Sequence, residues 1–238
     1  MSNLVTDNYK YIKQQVIETA EKCGRNPDDI TLIAVSKTKP LSDIEELIQI
    51  GVSDFGENKV QELCDKYENV SKPVHFHLIG HLQTNKVKYV VDKATLIHSV
   101  DSIKLAREIQ KEAAKKQLVV PVLVEVNVAE EESKFGLRVD EVISFLNEIS
   151  SFSNIHVEGL MTIAPFVENP EENRGYFRTL KQLSLDIISK NIDNIDMNVL
   201  SMGMTNDYKV AIEEGSNMIR IGTGIFGSRK SLGGSNNV

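Results

Sequence analysis

The sequence predicts an α/β protein: a single (β/α)8 TIM barrel with an extra helix at its N-terminus. Eight short apolar segments recur, each bounded by Gly, Pro, Asn or Ser, beginning at residues 31, 53, 74, 95, 120, 155, 197 and 217. Their starts lie 22, 21, 21, 25, 35, 42 and 20 residues apart, close to the ~30 residues of a strand–helix–strand unit. Between them, apolar residues recur at helical spacing. Alternation of strand and helix gives a parallel sheet, and eight such strands close on themselves more naturally than they spread. The competing architecture is an open doubly wound sheet, with a switch point near the middle of the strand order.

Element by element, the chain opens with Tyr9, Ile12, Val16, Ala20 and Cys23 on one helical face ahead of Gly24. The runs at 31 to 35 and 120 to 126 show little strict alternation, as parallel strands buried on both faces require. Helical spacing returns at Ile44, Leu47 and Ile48; at Ile103, Ala106, Ile109 and Ala113; at Val142, Leu146 and Ile149; and at Phe177, Leu180, Leu183 and Ile187. Residues 1–230 are read as one domain, and the Gly-, Ser- and Asn-rich 231–238 as a tail expected to fray.

Composition narrows the function. With 27 basic against 34 acidic residues, the net charge of −7 argues against nucleic-acid partners. Apolar stretches such as Leu118 to Val124 fall far short of the ~20 residues that span a bilayer. The polar N-terminal residues lack a secretory pattern, which points to the cytoplasm. Cys23 and Cys64 fit two reduced thiols better than a disulfide framework or a metal knuckle.

In a barrel the chemistry sits at the C-terminal ends of the strands. Polar residues there are Lys37, Asn58, His77 with Gly80, Asn127, Met161 with Thr162, Ser201, and Arg220 with Gly222 and Thr223. Lys37 shares a face with Ile33 and Val35. Desolvation would lower its pKa and free the amine to attack a carbonyl; the alternative is a lysine that snorkels at the rim. Gly222, Gly224 and Gly227 spell GxGxxG, but the eleven residues that follow leave no room for the helix, strand and acidic residue of a dinucleotide fold. What remains is either a phosphate cradle near Gly222 and Thr223 or a tight turn. His75, His77 and His81 invite a zinc reading, which the lack of carboxylates nearby disfavours. His98 and His156 read as strand or surface histidines.

Six blocks then carry a family resemblance: AVSKTKP at 34–40, FGENKVQE at 55–62, HLIGHLQTNK at 77–86, VNVAEEESKFGL at 126–137, GLMTIAP at 159–165 and LSMGMTNDYKVAIEEGSNMIRIGTGIFG at 200–227. In this order they resemble the pyridoxal phosphate homeostasis protein family, itself similar to the N-terminal barrel of alanine racemase. The resemblance implies that pyridoxal 5′-phosphate is held by Lys37 as an internal aldimine. Arg220 would face the pyridine nitrogen, and Ser201, Gly222 and Thr223 would hold the phosphate. Asn58 would line the cofactor, with His77, Met161 and Thr162 nearby. Glu130 departs from the pattern, which more often has a small residue there.

An arginine opposite the ring nitrogen disfavours its protonation and so weakens the electron sink that carbanion chemistry needs. Alanine racemases share that arrangement but add a tyrosine base from a second domain, for which eleven residues after Gly227 leave no space. The expected function is a cytoplasmic, monomeric carrier or buffer that passes the cofactor to client enzymes, with Lys134 as a candidate second contact in transfer. The alternatives are a single-domain racemase or lyase with a base from Tyr208, Cys64 or His77, and a cofactor-free aldolase that uses Lys37.

Overall fold

The structure is a computed structural model, and it describes residues 4–227. Eight strands, β1 Thr31–Val35, β2 Asp54–Glu57, β3 His75–Leu78, β4 Leu96–Val100, β5 Val120–Glu125, β6 Ile155–Met161, β7 Ile195–Ser201 and β8 Met218–Ile221, form a closed barrel in chain order. Every pairing is parallel, and β8 returns to β1 with Met218 opposite Thr31 and Ile221 opposite Ala34. That closure rules out the open sheet. All eight expected strands are present; all but β4 end one or two residues short of their apolar segments, and β7 begins two residues earlier than expected. The expected tail at 231–238 lies outside the described residues.

The helices α1 Leu4–Lys22, α2 Leu41–Gln49, α3 Val60–Asn69, α4 Val87–Val90, α5 Ile103–Lys115, α6 Val142–Ile149, α7 Arg174–Lys190, α8 Tyr208–Glu213 and α9 Thr223–Phe226 surround the strands. Their apolar stripes and the outward strand residues form one continuous core. Helix α1 lies against α2, α8 and α9, across the seam where β8 meets β1. It buries Ile12, Val16 and Ala20 there. Asn8 Nδ2 donates to Ile225 O at 3.0 Å, and just past the helix Arg25 Nη1 donates to Ile212 O and Ser216 O at 2.7 and 2.6 Å.

The inward residues form a second, smaller core: Ile33, Val35, Ile79, Leu96, Leu123, Met161 and Met218, with Val199 packed against them. Full burial of such a side chain contributes roughly 1.5–3 kcal/mol. The interior is not all apolar, because His77, His98, Glu125, Ser201 and Arg220 are buried among these residues. Gly159 lets β6 and β7 approach: a Cβ there would lie 1.9 Å from Val199 O. The register between these strands shifts at this point.

Candidate functional site

Lys37 stands two residues beyond Val35, half-buried, in a turn that follows the fully buried Ser36. A buried polar cluster fixes this turn. Lys66 of α3 donates through Nζ to Glu57 Oε1 at 2.7 Å, Glu62 Oε1 at 2.7 Å and Ser36 O at 2.8 Å. Ser36 Oγ donates to the same Glu57 oxygen at 2.6 Å. The Thr38 N–H donates to Glu62 Oε1 at 2.6 Å and holds that residue at φ 63°, a left-handed conformation that a β-branched residue adopts only under constraint. Burial pushes the Glu57 carboxyl up against the opposing charge of Lys66. Lys39 is engaged by the carbonyls of Phe226 at 2.9 Å and Gly227 at 3.4 Å, at the end of α9.

Arg220 projects from β8 into the barrel with 3% of its surface exposed. Its Nη1 donates to Ser201 Oγ at 2.5 Å and its Nη2 to Thr162 O at 2.7 Å. Burial lowers its pKa to about 10, opposed by Glu125 and Asp207, so the guanidinium stays charged at neutral pH. Beyond Ser201 the contacts continue: His98 Nδ1 lies 3.0 Å from Ser201 Oγ, His98 Nε2 lies 3.1 Å from His77 Nδ1, and His77 Nε2 lies 3.1 Å from Asp54 Oδ1. His98 is completely buried, and burial drives its pKa well below the usual imidazole value. Glu125, at the end of β5, is pushed up to about 7 by burial and by the charge of Asp101, with Arg220 opposing.

The other expected residues divide between interior and rim. Met161 is buried in the inner core. Thr162 is tied down by its own hydroxyl, which donates to Val126 O at 2.7 Å, so its contribution to the interior is the carbonyl that accepts from Arg220. Asn58 follows β2, and a Cβ at Gly80 would come within 2.5 Å of its carbonyl oxygen. The Asn58 Oδ1 is buried with no hydrogen-bond partner among the described residues. A Cβ at Gly222 would meet Val35 only at 3.6 Å, an ordinary contact, so the protein's own packing does not demand glycine there. Beside it Thr205 Oγ1 is 3.2 Å from both Thr223 Oγ1 and Gly224 N. An orphaned acceptor, a strand end left open and a pair of rim hydroxyls suit a ligand with a ring and a phosphate.

Several sequence expectations need correction. A carboxylate does stand beside the histidines, since Asp54 contacts both His75 and His77. The three histidines do not converge: His81 pairs with Asp101 at 3.4 Å and stacks on Phe135 with centroids 3.8 Å apart. His98, read as an ordinary strand histidine, is a buried link to Ser201, while His156 does pair with Asp196 at 3.0 Å on the outside. Tyr208 packs in α8 with its pKa pushed up to about 12 by burial, and Cys64 on α3 contacts Tyr89 O at 3.3 Å. Asp54, Glu125 and Lys66 were not anticipated. Parity could have found Glu125 and His98, each two residues beyond an inward leucine.

Beside the site, a cavity of about 720 Å³ opens among the loops after β5, β6 and β7, bordered by Glu131, Lys134, Asn173, Tyr176 and Met204. Lys134 and Glu131 form an ion pair at 2.6 Å. Asn127 anchors this loop through its side chain to the Glu131 carbonyl and N–H at 2.9 and 3.2 Å.

The barrel, with a lysine at the end of β1 and a buried arginine on β8, defines a protein of the alanine racemase N-terminal-domain class, and the model of that domain matches residues 8–230. The chain belongs, within that class, to the pyridoxal phosphate homeostasis protein family. The family's member from Aquifex aeolicus is 44% identical over 220 residues, covering 92% of this chain and 96% of the relative; that from Escherichia coli K12 is 33% identical over 232 residues, covering 95% and 97%. Among solved structures, PipY of Synechococcus elongatus PCC7942 with pyridoxal phosphate bound superposes at TM-score 0.78 and 30% identity, over 89% of this chain and all of that one. An alanine racemase of Clostridium difficile 630 superposes at TM-score 0.72 and 15% identity, over 92% of this chain and 60% of the racemase, a likeness of fold.

Proposed function

We propose that this protein binds pyridoxal 5′-phosphate through Lys37 and acts in intracellular homeostasis of the cofactor, as a carrier or buffer rather than as an enzyme. The observation that carries the reading is the half-buried lysine at the end of β1, on the same inward-facing parity as Ile33, with Arg220 of β8 directly opposite Ile33 in the sheet. When bound, the cofactor supplies an electrophilic aldehyde and an electron-withdrawing ring whose pull depends on the protonation of its nitrogen. Lys37 provides the amine that bonds the aldehyde. Arg220 presents a fixed positive charge to the ring nitrogen and disfavours a proton there. Gly222 and Thr223 take the phosphate, with Thr205 beside them, and Asn58 offers its unpartnered Oδ1 to a donor on the ligand.

The carrier reading is supported by where the candidate bases lie. Tyr208 and Cys64 belong to helices outside the barrel, and His77 is tied between Asp54 and His98. Client pyridoxal-phosphate enzymes, a monomeric state and a cytoplasmic address complete the proposal; among the described residues no helix is long and apolar enough to cross a membrane.

The test is the visible spectrum of the protein supplied with pyridoxal phosphate, before and after borohydride, with peptide mapping. We expect a band that borohydride bleaches, a reduced adduct on Lys37, and loss of both in Lys37→Ala. Adducts scattered over surface lysines would sink the cofactor assignment. Racemisation or decarboxylation of amino acids at the ~1–10³ per second of ordinary enzymes would sink the carrier reading and leave the cofactor site intact.

A further inference from the structure

The contacts from Arg220 to Asp54 form an unbroken file through the barrel: β8 to β7, across to β4, then β3 and β2. With both imidazoles neutral, the carboxylate end, which can only accept, admits one direction of donation, and the guanidinium end, which can only donate, is compatible with it. Burial would raise the Asp54 pKa, but hydrogen bonds from His77 and Ser53 hold it down to about 2, so the acceptor end is ionised at neutral pH.

Each hydrogen then has one place. Ser201 Oγ accepts from Arg220 Nη1 on one lone pair, and its hydroxyl hydrogen turns to His98 Nδ1, the nitrogen left bare when His98 donates from Nε2. His98 carries its hydrogen on Nε2 and donates to His77 Nδ1, and His77 carries its hydrogen on Nε2 and donates to Asp54 Oδ1. Reversing the His98 link alone would set two hydrogens or two lone pairs face to face in a fully buried space, at a cost of about 1–3 kcal/mol for an unsatisfied group.

We propose that Asp54, His77 and His98 are positioning residues for the cofactor site: through Ser201 they fix the orientation and charge of Arg220 where it meets the ring nitrogen. His98 makes Ser201 present a lone pair to Arg220, His77 decides which nitrogen of His98 is bare, and Asp54 decides the same for His77. With Thr162 O on Nη2, both arms of the guanidinium are held in one plane. Ser201 thereby stands behind Arg220, with its hydrogen committed inward and away from a phosphate. The inference rests on the cofactor reading for what Arg220 faces, but the file of hydrogens exists in the protein alone.

That independence sets the experiment. Nitrogen-15 spectra of histidine side chains in the cofactor-free protein at pH 7.5 should show His77 and His98 both neutral, each with its hydrogen on Nε2. Either ring charged, or either hydrogen on Nδ1, overturns the file without reference to the cofactor. Asp54→Asn keeps an acceptor and should preserve both tautomers, whereas Asp54→Leu should scramble them; identical spectra in the two variants would also overturn it.

In the loaded protein, release of pyridoxal phosphate from Asp54→Leu and Ser201→Ala should be faster by about tenfold, the equivalent of one hydrogen bond to a charged group, with a shifted absorption maximum. Ser201→Thr should restore both. Unchanged release and absorption in variants with scrambled tautomers would remove the link to Arg220. Failure of Lys37 labelling would instead strike the cofactor reading and leave the histidine result standing.

Discussion

Glu125 and Asp54 are both carboxyls inside the barrel, yet their surroundings move them in opposite directions. Glu125 is raised to about 7, so its proton is retained in the folded state through a range where the unfolded chain has lost it. Stability from this group is complete below about 4.5, the ordinary glutamate value, and is lost as pH rises towards 7. Asp54, lowered to about 2, contributes stability above its ordinary value, lost only in stronger acid. Replacing Glu125 by Gln keeps the shape and removes the titration. The variant should therefore match the wild type near pH 4 and exceed it above pH 7 by roughly 1–3 kcal/mol, read from urea unfolding at a series of pH values. A constant difference across that range would contradict the assignment. Lys37 was legible at this scale because it ends the most apolar strand. Asp54 was not, because it begins a strand, at the end of the barrel where chemistry is not sought.

Among the elements, the turn that carries Lys37 depends on α3. Lys66 bridges two carboxylates and a carbonyl, and it is 7% exposed. Lys66→Met would leave the fully buried Glu57 carboxylate without its partner, a loss of about 3–5 kcal/mol for a broken buried pair. Adding Glu57→Gln removes the stranded charge and should recover a good part of that stability. The second substitution cannot restore the bond to Ser36 O or the hold on Glu62. The double variant should therefore fold and yet bind pyridoxal phosphate more weakly than the wild type, as a titration of the visible band would show. Equal stability of the single and double variants would mean that the cluster does not act as a unit. The strand periodicity announced β1, β2 and the alternation that joins them. It carried no sign of this cluster, because Glu57 and Lys66 are nine residues apart on different elements and meet only through the packing of α3 on β2.

At the scale of the whole molecule, the sequence left closed barrel and open sheet both standing, since the pairing of β8 with β1 joins residues 187 positions apart. No local pattern encodes such a contact, and only the count of strands favoured it. The N-terminal helix was equally legible as a helix and illegible as to place: its apolar stripe states that it must be buried, and not that it covers the seam of the barrel. The proposed cofactor contacts straddle that seam, with Lys37 on the β1 side and Arg220, Gly222 and Thr223 on the β8 side. A ligand held from both sides opposes separation of β8 from β1, and α1 can leave its place only as the seam loosens. Saturation at a hundred times the dissociation constant adds about 2.7 kcal/mol to global stability, and local openings confined to the seam should be suppressed by a similar amount. Amide hydrogen exchange is then expected to slow on cofactor binding in β1, β8 and α1, while sub-global openings of α5 and α6, on the far side, keep their rates. Uniform slowing over all elements would mean that the barrel opens only as a whole, and slowing confined to α5 and α6 would place the ligand elsewhere.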